Sequence, residues 1–347
     1  MKFQKQIYNV VRILISISIL IYLIATVDLI NLMNRFGSLH PIYFMMSLLL
    51  GISLNFILSY RWKILLPINQ VNVSFLRLVR LYFVGSFYNL FLPTSLGGDV
   101  VRGYGLAVYT GKKMSALTSI LMERMIGFLS LMIVAIFALV LSGLVKSDPA
   151  VAASVIILCV GYFIFMAVIF SEKIMKKIIP LFKSTRFITL SNQLHRLVDS
   201  IQMFKKNKVV LLKSFLLSVI CQILAILAIY LLALSIHLKL SPIHFFIIIP
   251  MIWILIMIPI SMNGLGIREG SFVFFFTRIG VQDTTALLLS FLVLSVKIII
   301  GLAGGIIYIT DQLINMQTSK KRSQFAEDYN LYNSNTEKGG ADEENVK

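Results

Sequence analysis

Two short segments carry the residues best suited to chemistry. Pro93-Thr94-Ser95-Leu96-Gly97-Gly98-Asp99-Val100-Val101-Arg102 and Pro259-Ile260-Ser261-Met262-Asn263-Gly264-Leu265-Gly266-Ile267-Arg268 share the pattern Pro-x-Ser-x-[Gly/Asn]-Gly-x-x-x-Arg. Each follows one apolar run and precedes another. Proline and glycine end a helix and let the backbone turn tightly. A helix that restarts after such a turn offers free N–H groups and a positive dipole end, both of which favour an anion. Arg102 and Arg268 are expected in the first turns of the restarted helices, where a guanidinium can hold a phosphate with two parallel bonds. The chemistry indicated is therefore anion binding. Arg102, Arg268, Gly98, Gly264, Ser95 and Ser261, joined by Lys297, are the candidate contacts for an anionic head group. Pro93, Gly97, Pro259, Asn263 and Gly266 are the helix breakers.

A plainer alternative stays open: Asp99 caps its helix, and the two arginines only neutralise Asp99 and Glu269. Glu123 and Arg124 are further charges expected at membrane depth. Being adjacent, they point in different directions around a helix and need separate partners. Lys297 either completes the anion pocket or neutralises Glu269 or Glu123. Gly301 and Gly305 are explained by close helix packing.

The elements that must position these residues follow from composition. Of 347 residues, 58% are hydrophobic and only 14% are charged, against about 45–50% and about 25% in soluble domains. The apolar residues form blocks at 13–27, 42–59, 125–145, 151–170, 209–236 and 286–310. Most reach the roughly 17–25 residues that cross the hydrocarbon core. The net charge of +17 does not point to nucleic acid, because the basic residues lie between the apolar blocks. There they follow the positive-inside bias. Cys159 and Cys221 sit within apolar blocks, so no disulfide framework is expected. The basic start before the first block looks like a signal peptide but lacks a convincing cleavage site, and reads as a retained helix.

Basic residues at 2–12, 61–80, 112–113, 172–208 and 320–322 alternate with basic-poor connectors. That alternation places both termini and the 172–208 loop in the cytoplasm. The fold expected is an all-α membrane protein. It has about six full transmembrane helices (about 11–27, 42–60, 117–145, 151–171, 209–236 and 284–312) and two re-entrant helical hairpins. The first hairpin dips through 81–92, turns at 93–99 and returns through 100–110. The second uses 245–262 and 270–281, although 245–262 could also just span. Three crossings in each half invert the second half, which is the inverted-repeat plan of secondary transporters. The membrane domain covers 1–314, with halves at about 8–146 and 150–314. Helical spacing of Leu190, Leu194, Leu197, Val198, Ile201 and Phe204 suggests an amphipathic helix, either on the anionic inner leaflet or beneath the bundle. Residues 315–347 are expected to be a disordered cytoplasmic tail.

Several chemistries find no support. The 105–113 segment has five spacers and no Ser or Thr after its lysine, so it is not a phosphate-binding loop. His40, His195, His237 and His244 lack metal-ligand spacing, and neither a metal nor a cofactor is expected. No nucleophile stands beside a base, so the chain is expected to be more transporter than enzyme. Asp99, Glu123 and Glu269 are the candidates should an acid or base be needed.

The 93–102 motif, the Glu123-Arg124 pair and Asn263-Gly264-Leu265-Gly266-Ile267-Arg268-Glu269 together resemble the lysylphosphatidylglycerol synthase transmembrane region family, also called flippase-like membrane proteins. The resemblance covers about residues 8–314. It implies a lipid-handling domain of the cell membrane, of the kind that flips aminoacylated phosphatidylglycerol in the full-length synthases. Only a short polar tail follows the membrane part, so lysyltransferase activity is not expected. The implied function is a flippase that moves an anionic phospholipid or lipid-linked phosphate between leaflets. The alternative is a membrane-embedded transferase or an accessory subunit of a lipid-modifying enzyme. The partners expected are a membrane lipid as substrate, the inner leaflet through the basic loop, and a cell-envelope enzyme.

Overall fold

The structure is a computed structural model that describes residues 39–92, 97–142, 200–204, 206–257 and 264–312, with isolated positions at 37 and between 153 and 164. Hydrocarbon offers no partner for backbone N–H and C=O groups, so spanning segments of this composition must be helical. Among the described residues all regular structure is helix. The elements are α1 (Pro41–Leu65), continued by a 3-10 turn (Leu66–Asn69), then α2 (Phe75–Phe91), α3 (Gly97–Thr110) and α4 (Lys113–Ser142). After the intervening segment come α5 (Lys208–Ser235), α6 (Pro242–Met257) and α7 (Ile267–Thr277). The last is α8 (Asp283–Gln312).

Among the described residues four stretches are long and apolar enough to cross a membrane: Pro41–Asn69, Lys113–Leu141, Lys208–Ser235 and Asp283–Gln312. They are the expected spans at 42–60, 117–145, 209–236 and 284–312. The spans expected at 11–27 and 151–171 lie largely or wholly outside the described residues, as do most of the 172–208 loop and the tail. Phe137, Leu141, Leu49 and Leu212 turn outward and are more than half exposed, as suits contact with lipid.

Between the long helices lie two helical hairpins. Leu92 is extended (φ −77°, ψ 138°) and ends α2. The reason is local: the residue before a proline is pushed out of the helical region. The arms of the first hairpin run antiparallel. Arg77 near the start of α2 stacks on Tyr109 near the end of α3 at 4.8 Å, and Asn89 near the end of α2 meets Gly98 at the start of α3. The second hairpin does the same, with Phe245 against Phe276 at 5.3 Å and Ile256 beside Gly264. Gly264 and Gly266 have φ of 75° and 79°, a region that only glycine enters without penalty.

α1 packs along α5, and the two run antiparallel. The His40 N–H donates to the Ser235 carbonyl at one end (2.8 Å), and Arg61 donates to Ser218 towards the other (2.7 Å). α4 packs on α3, α5 and α6. Gly301 and Gly304 of α8 lie against Leu90, Ser86 and Phe83 of α2, where an added Cβ at Gly304 would strike the Phe83 carbonyl. Ile201 and Phe204 are buried against Leu65, Met122 and Ile126, so this end of the loop packs against the bundle. By its contacts the chain divides after Gly304, and the described part of the second unit is the final turns of α8, to Gln312.

One expectation is overturned. Arg61 was counted among the basic residues of a cytoplasmic 61–80 connector. It lies inside α1 and is 7% exposed, because α1 continues four residues beyond it and a buried carboxylate receives it.

Candidate functional site

α1, α2, α3 and α4 each contribute to one buried polar cluster. Glu123, fully buried on α4, accepts from Arg61 (Nη2 to Oε1, 2.9 Å) and from the Tyr82 hydroxyl. Its other oxygen sits 2.8 Å from Arg102 Nη1, outside hydrogen-bond alignment, and neither of those atoms has another partner among the described residues. Arg102 also pairs with Asp99, one helical turn earlier, through Nε (2.9 Å) and Nη2 (2.8 Å). Asp99 in turn holds Arg124. Aromatic rings complete the setting of Arg102, which lies 4.1 Å from the Tyr82 centroid and 5.0 Å from that of Trp62. Trp62 is itself fixed by donating to Ser119 (3.0 Å). Among the described residues three guanidiniums thus meet two carboxylates.

Local sequence explains the arrangement. Asp99 and Arg102, three apart, share one face of α3. Glu123 and Arg124 diverge on α4 and find the separate partners their adjacency demands. Glu123 points inward, whereas Arg124 remains partly open. α3 begins at Gly97, so Arg102 falls in its second turn, not the first. Gly98 allows the two arms to touch: a Cβ there would collide with the Gly85 carbonyl and the Asn89 amide. Its N–H is taken by Asn89 Oδ1 at 2.7 Å.

The second motif is simpler. Arg268 and Glu269 are buried at the start of α7 and pair with each other. Glu269 also accepts the Gly266 N–H (2.7 Å), closing the helix start. Lys297 of α8 lies within electrostatic range of this pair. Pro93, Ser95, Pro259, Ser261 and Asn263 lie outside the described residues.

Among the described residues three cavities reach these groups: one runs along α3 and α4 beside Asp99 and Arg124, and the other two carry more of the polar lining. Of these two, the first, of about 370 Å³, is lined by Arg61, Glu123, Arg124, Gly127, Gln222 and Trp253, among others. The second, of about 290 Å³, is lined by Asn55, Ser86, Asn89, Leu90, Ile256, Lys297 and Ile300. Three positions of their linings correspond. Counted from the first residue of each helix, Asn55 in α1 holds the place of Gln222 in α5, and Ser86 in α2 that of Trp253 in α6. Lys297 in α8 holds the place of Gly127 in α4. Sequence reasoning missed Arg61, Tyr82, Trp62, Asn55, Ser86 and Asn89. A signal for Arg61 existed: the apolar pattern resumes past it at Ile64-Leu65-Leu66, which places it within a helix.

These features define a multi-pass helical membrane protein with ionic groups gathered between its long helices and a pair of hairpins. The chain belongs to the lysylphosphatidylglycerol synthase TM region family, which matches residues 9–305. A UPF0104 membrane protein of Methanothermobacter thermautotrophicus is 25% identical over 266 residues, covering 71% of this chain and 78% of that protein. No solved structure matches it.

Proposed function

We propose that this protein moves an anionic phospholipid or a lipid-linked phosphate between the leaflets of the cell membrane. The observation that carries the reading is the buried ionic cluster of α1–α4, in which Arg102 is held by Asp99 and Glu123 between the Trp62 and Tyr82 rings. A single arginine at the centre of a membrane helix costs about 2.5–3.5 kcal/mol on insertion scales. The phosphate of a phospholipid is an anion such an arginine can take in exchange, and the family name points to phosphatidylglycerol lipids. In this reading Arg102 and Arg268 exchange a carboxylate for the head-group phosphate as the lipid passes. Gly98 and Gly264 let the hairpin arms approach, and Ser95 and Ser261 stand at the turns.

We read the hairpins as re-entrant and the halves as an inverted repeat. The antiparallel run of α1 and α5 and the three matched positions in the linings of the two cavities support this. Both termini and the 172–208 loop are assigned to the cytoplasm from basic-residue asymmetry. A single cysteine at position 180 should react only from inside; labelling from outside intact cells would refute the topology.

The functional test is lipid scrambling in proteoliposomes with wild type, Arg102→Lys and Arg268→Lys. Lysine keeps the charge but loses the planar fork. The expected result is scrambling of phosphatidylglycerol by wild type and a loss of about tenfold in each variant, the equivalent of about 1.4 kcal/mol. Full activity in both variants would remove the phosphate role of the arginines. An inactive wild type across several anionic lipids would favour a membrane-embedded transferase, or an accessory subunit of one, built on the same cluster.

A further inference from the structure

The Lys297 cavity differs from the sites of the ion-paired arginines. Arg61, Arg102, Arg124 and Arg268 each hold a carboxylate. Lys297 has no carboxylate within ion-pair distance among the described residues, and the nearby Glu269 is already divided between Arg268 and the Gly266 N–H. Lys297 sits near the midpoint of the Asp283–Gln312 helix, and Asn55 beyond the midpoint of α1, so both lie deep between the membrane surfaces. The side chain of Lys297 is exposed, opening onto the cavity.

Three polar side chains, Asn55, Ser86 and Asn89, share the lining with Lys297. Asn55 is anchored by donating its amide to the Gly51 carbonyl (2.9 Å), and Ser86 contacts Asn55 Oδ1 at 3.3 Å. Asn89 is held through its Oδ1 by the Gly98 N–H, which fixes its amide at the cavity wall. Leu90, Ile256 and Ile300 close the remainder with apolar surface. An ammonium flanked by amide and hydroxyl groups, with no anion of its own, is a site for a compact oxyanion. Asn89 and Ile256 stand just before the turns of the first and second hairpins, so the cavity lies where both hairpins end.

We infer that the cavity lined by Asn55, Ser86, Asn89 and Lys297 is a binding site for a phosphoryl group, either the phosphate of a lipid head group or a free phosphate anion. The inference deepens the proposed function and rests on it only for the choice of lipid. Among the described lining residues Lys297 is the one ionised group, so a head group whose only charge is positive is disfavoured here.

The test is native mass spectrometry of the full chain titrated with dioleoylphosphatidylglycerol, with dioleoylphosphatidylcholine and with inorganic phosphate. The variants are Lys297→Met, Lys297→Arg and Asn55→Asp. The last keeps Lys297 and places a carboxylate in the same cavity, so it tests the site even if Lys297→Met does not fold. Wild type and Lys297→Arg should retain phosphatidylglycerol at least about tenfold better than phosphatidylcholine, and Lys297→Met and Asn55→Asp should lose that preference. Displacement of the lipid by millimolar phosphate would make free phosphate the occupant, and persistence of the lipid would make it the head group. Equal retention of phosphatidylglycerol by wild type, Lys297→Met and Asn55→Asp overturns the site, as does a wild type that retains neither phosphatidylglycerol nor phosphate. Scrambling measured in parallel separates the two proposals. Transport with Lys297-independent binding removes only this site, whereas Lys297-dependent binding without transport removes only the transporter reading.

Discussion

Where α4, α5 and α6 meet α1, the cavity wall carries Arg61, Glu123 and Arg124; where α8 meets α1 and α2, the corresponding wall carries Lys297, Asn55 and Asn89. The helices that frame the two cavities match in order and nearly in length, yet the charges do not. Counted along each helix, Arg61 corresponds to Ala228, Tyr82 to Ile249 and Glu123 to Val293. All three second-half counterparts are buried. At these three places one half carries ionic or polar groups and the other apolar ones. Replacing buried ion pairs by well-packed apolar groups is often neutral or stabilising. The second half keeps a smaller buried pair, Arg268–Glu269, so the larger cluster is not a demand of the helix packing, which supports the functional reading proposed above.

The largest effect should come from breaking the cluster unevenly. Glu123→Val gives α4 the residue found at the matching place in α8, but strands Arg61 and part of Arg102. Leaving a buried charge without its partner costs about 3–5 kcal/mol. Thermal unfolding in detergent should fall accordingly. Adding Arg61→Ala, again the second-half residue, should recover part of the loss, since contacting residues couple by about 0.5–3 kcal/mol. Additive losses would mean that the two do not act as a pair.

Next come the hairpins. Gly98→Ala forces a methyl group into the Gly85 carbonyl and the Asn89 amide, so an overpacking cost of about 1–3 kcal/mol is expected. Gly264→Ala meets the flexible side chain of Ile256 instead, but at a φ of 75°. The left-handed region costs an L-residue about 1–2 kcal/mol. Unfolding of both variants would show whether the first turn is limited by space and the second by backbone conformation. A Gly98→Ala protein as stable as wild type would mean that the arms can separate without loss.

Much of this frame is legible in the sequence. Apolar blocks gave the four described spans, Pro93 gave the end of α2, and the adjacency of Glu123 and Arg124 gave their need for separate partners. The cluster itself was not legible. Arg61 and Glu123 lie 62 positions apart, and a basic residue near the end of an apolar run reads the same whether it enters a loop or turns inward. Asn55, Ser86 and Asn89 look like ordinary polar residues of membrane helices that bond to their own backbone, as Asn55 and Ser86 also do. What sets them apart is a shared cavity, and only tertiary packing supplies that. Gly98 raised a different difficulty. A glycine at a helix start suits ligand approach, whereas here the lack of a side chain brings the two arms together.

Within the cluster, Tyr82→Phe should have a smaller effect. It removes the hydroxyl bonded to Glu123 and keeps the ring beneath Arg102. One hydrogen bond to a charged group contributes about 1.5–3 kcal/mol. The two guanidiniums around Glu123 remain, so the loss should fall at the low end of that range. A loss as large as that of Glu123→Val would mean that the hydroxyl, more than the arginines, holds the carboxylate.

The smallest effect on stability is expected at Lys297, and there the two cavities separate most sharply. Arg61, Arg102 and Arg124 are tied into ion pairs, so removing any of them leaves a carboxylate short of a partner. Lys297 is tied to none among the described residues, so Lys297→Met should strand nothing. Methionine also preserves the unbranched stem along α8 and removes a charge from membrane depth. Substitutions away from packed or paired features usually fall within about 0.5 kcal/mol of zero. Unfolding of Lys297→Met in lipid-free detergent should therefore match wild type or lie slightly above it. The same comparison with phosphatidylglycerol present should reverse the order, because a ligand that binds only the folded state raises stability as its concentration exceeds its dissociation constant. A large loss in detergent alone would make Lys297 a structural cation. Equal curves in both conditions would leave it with neither a structural nor a ligand-binding role.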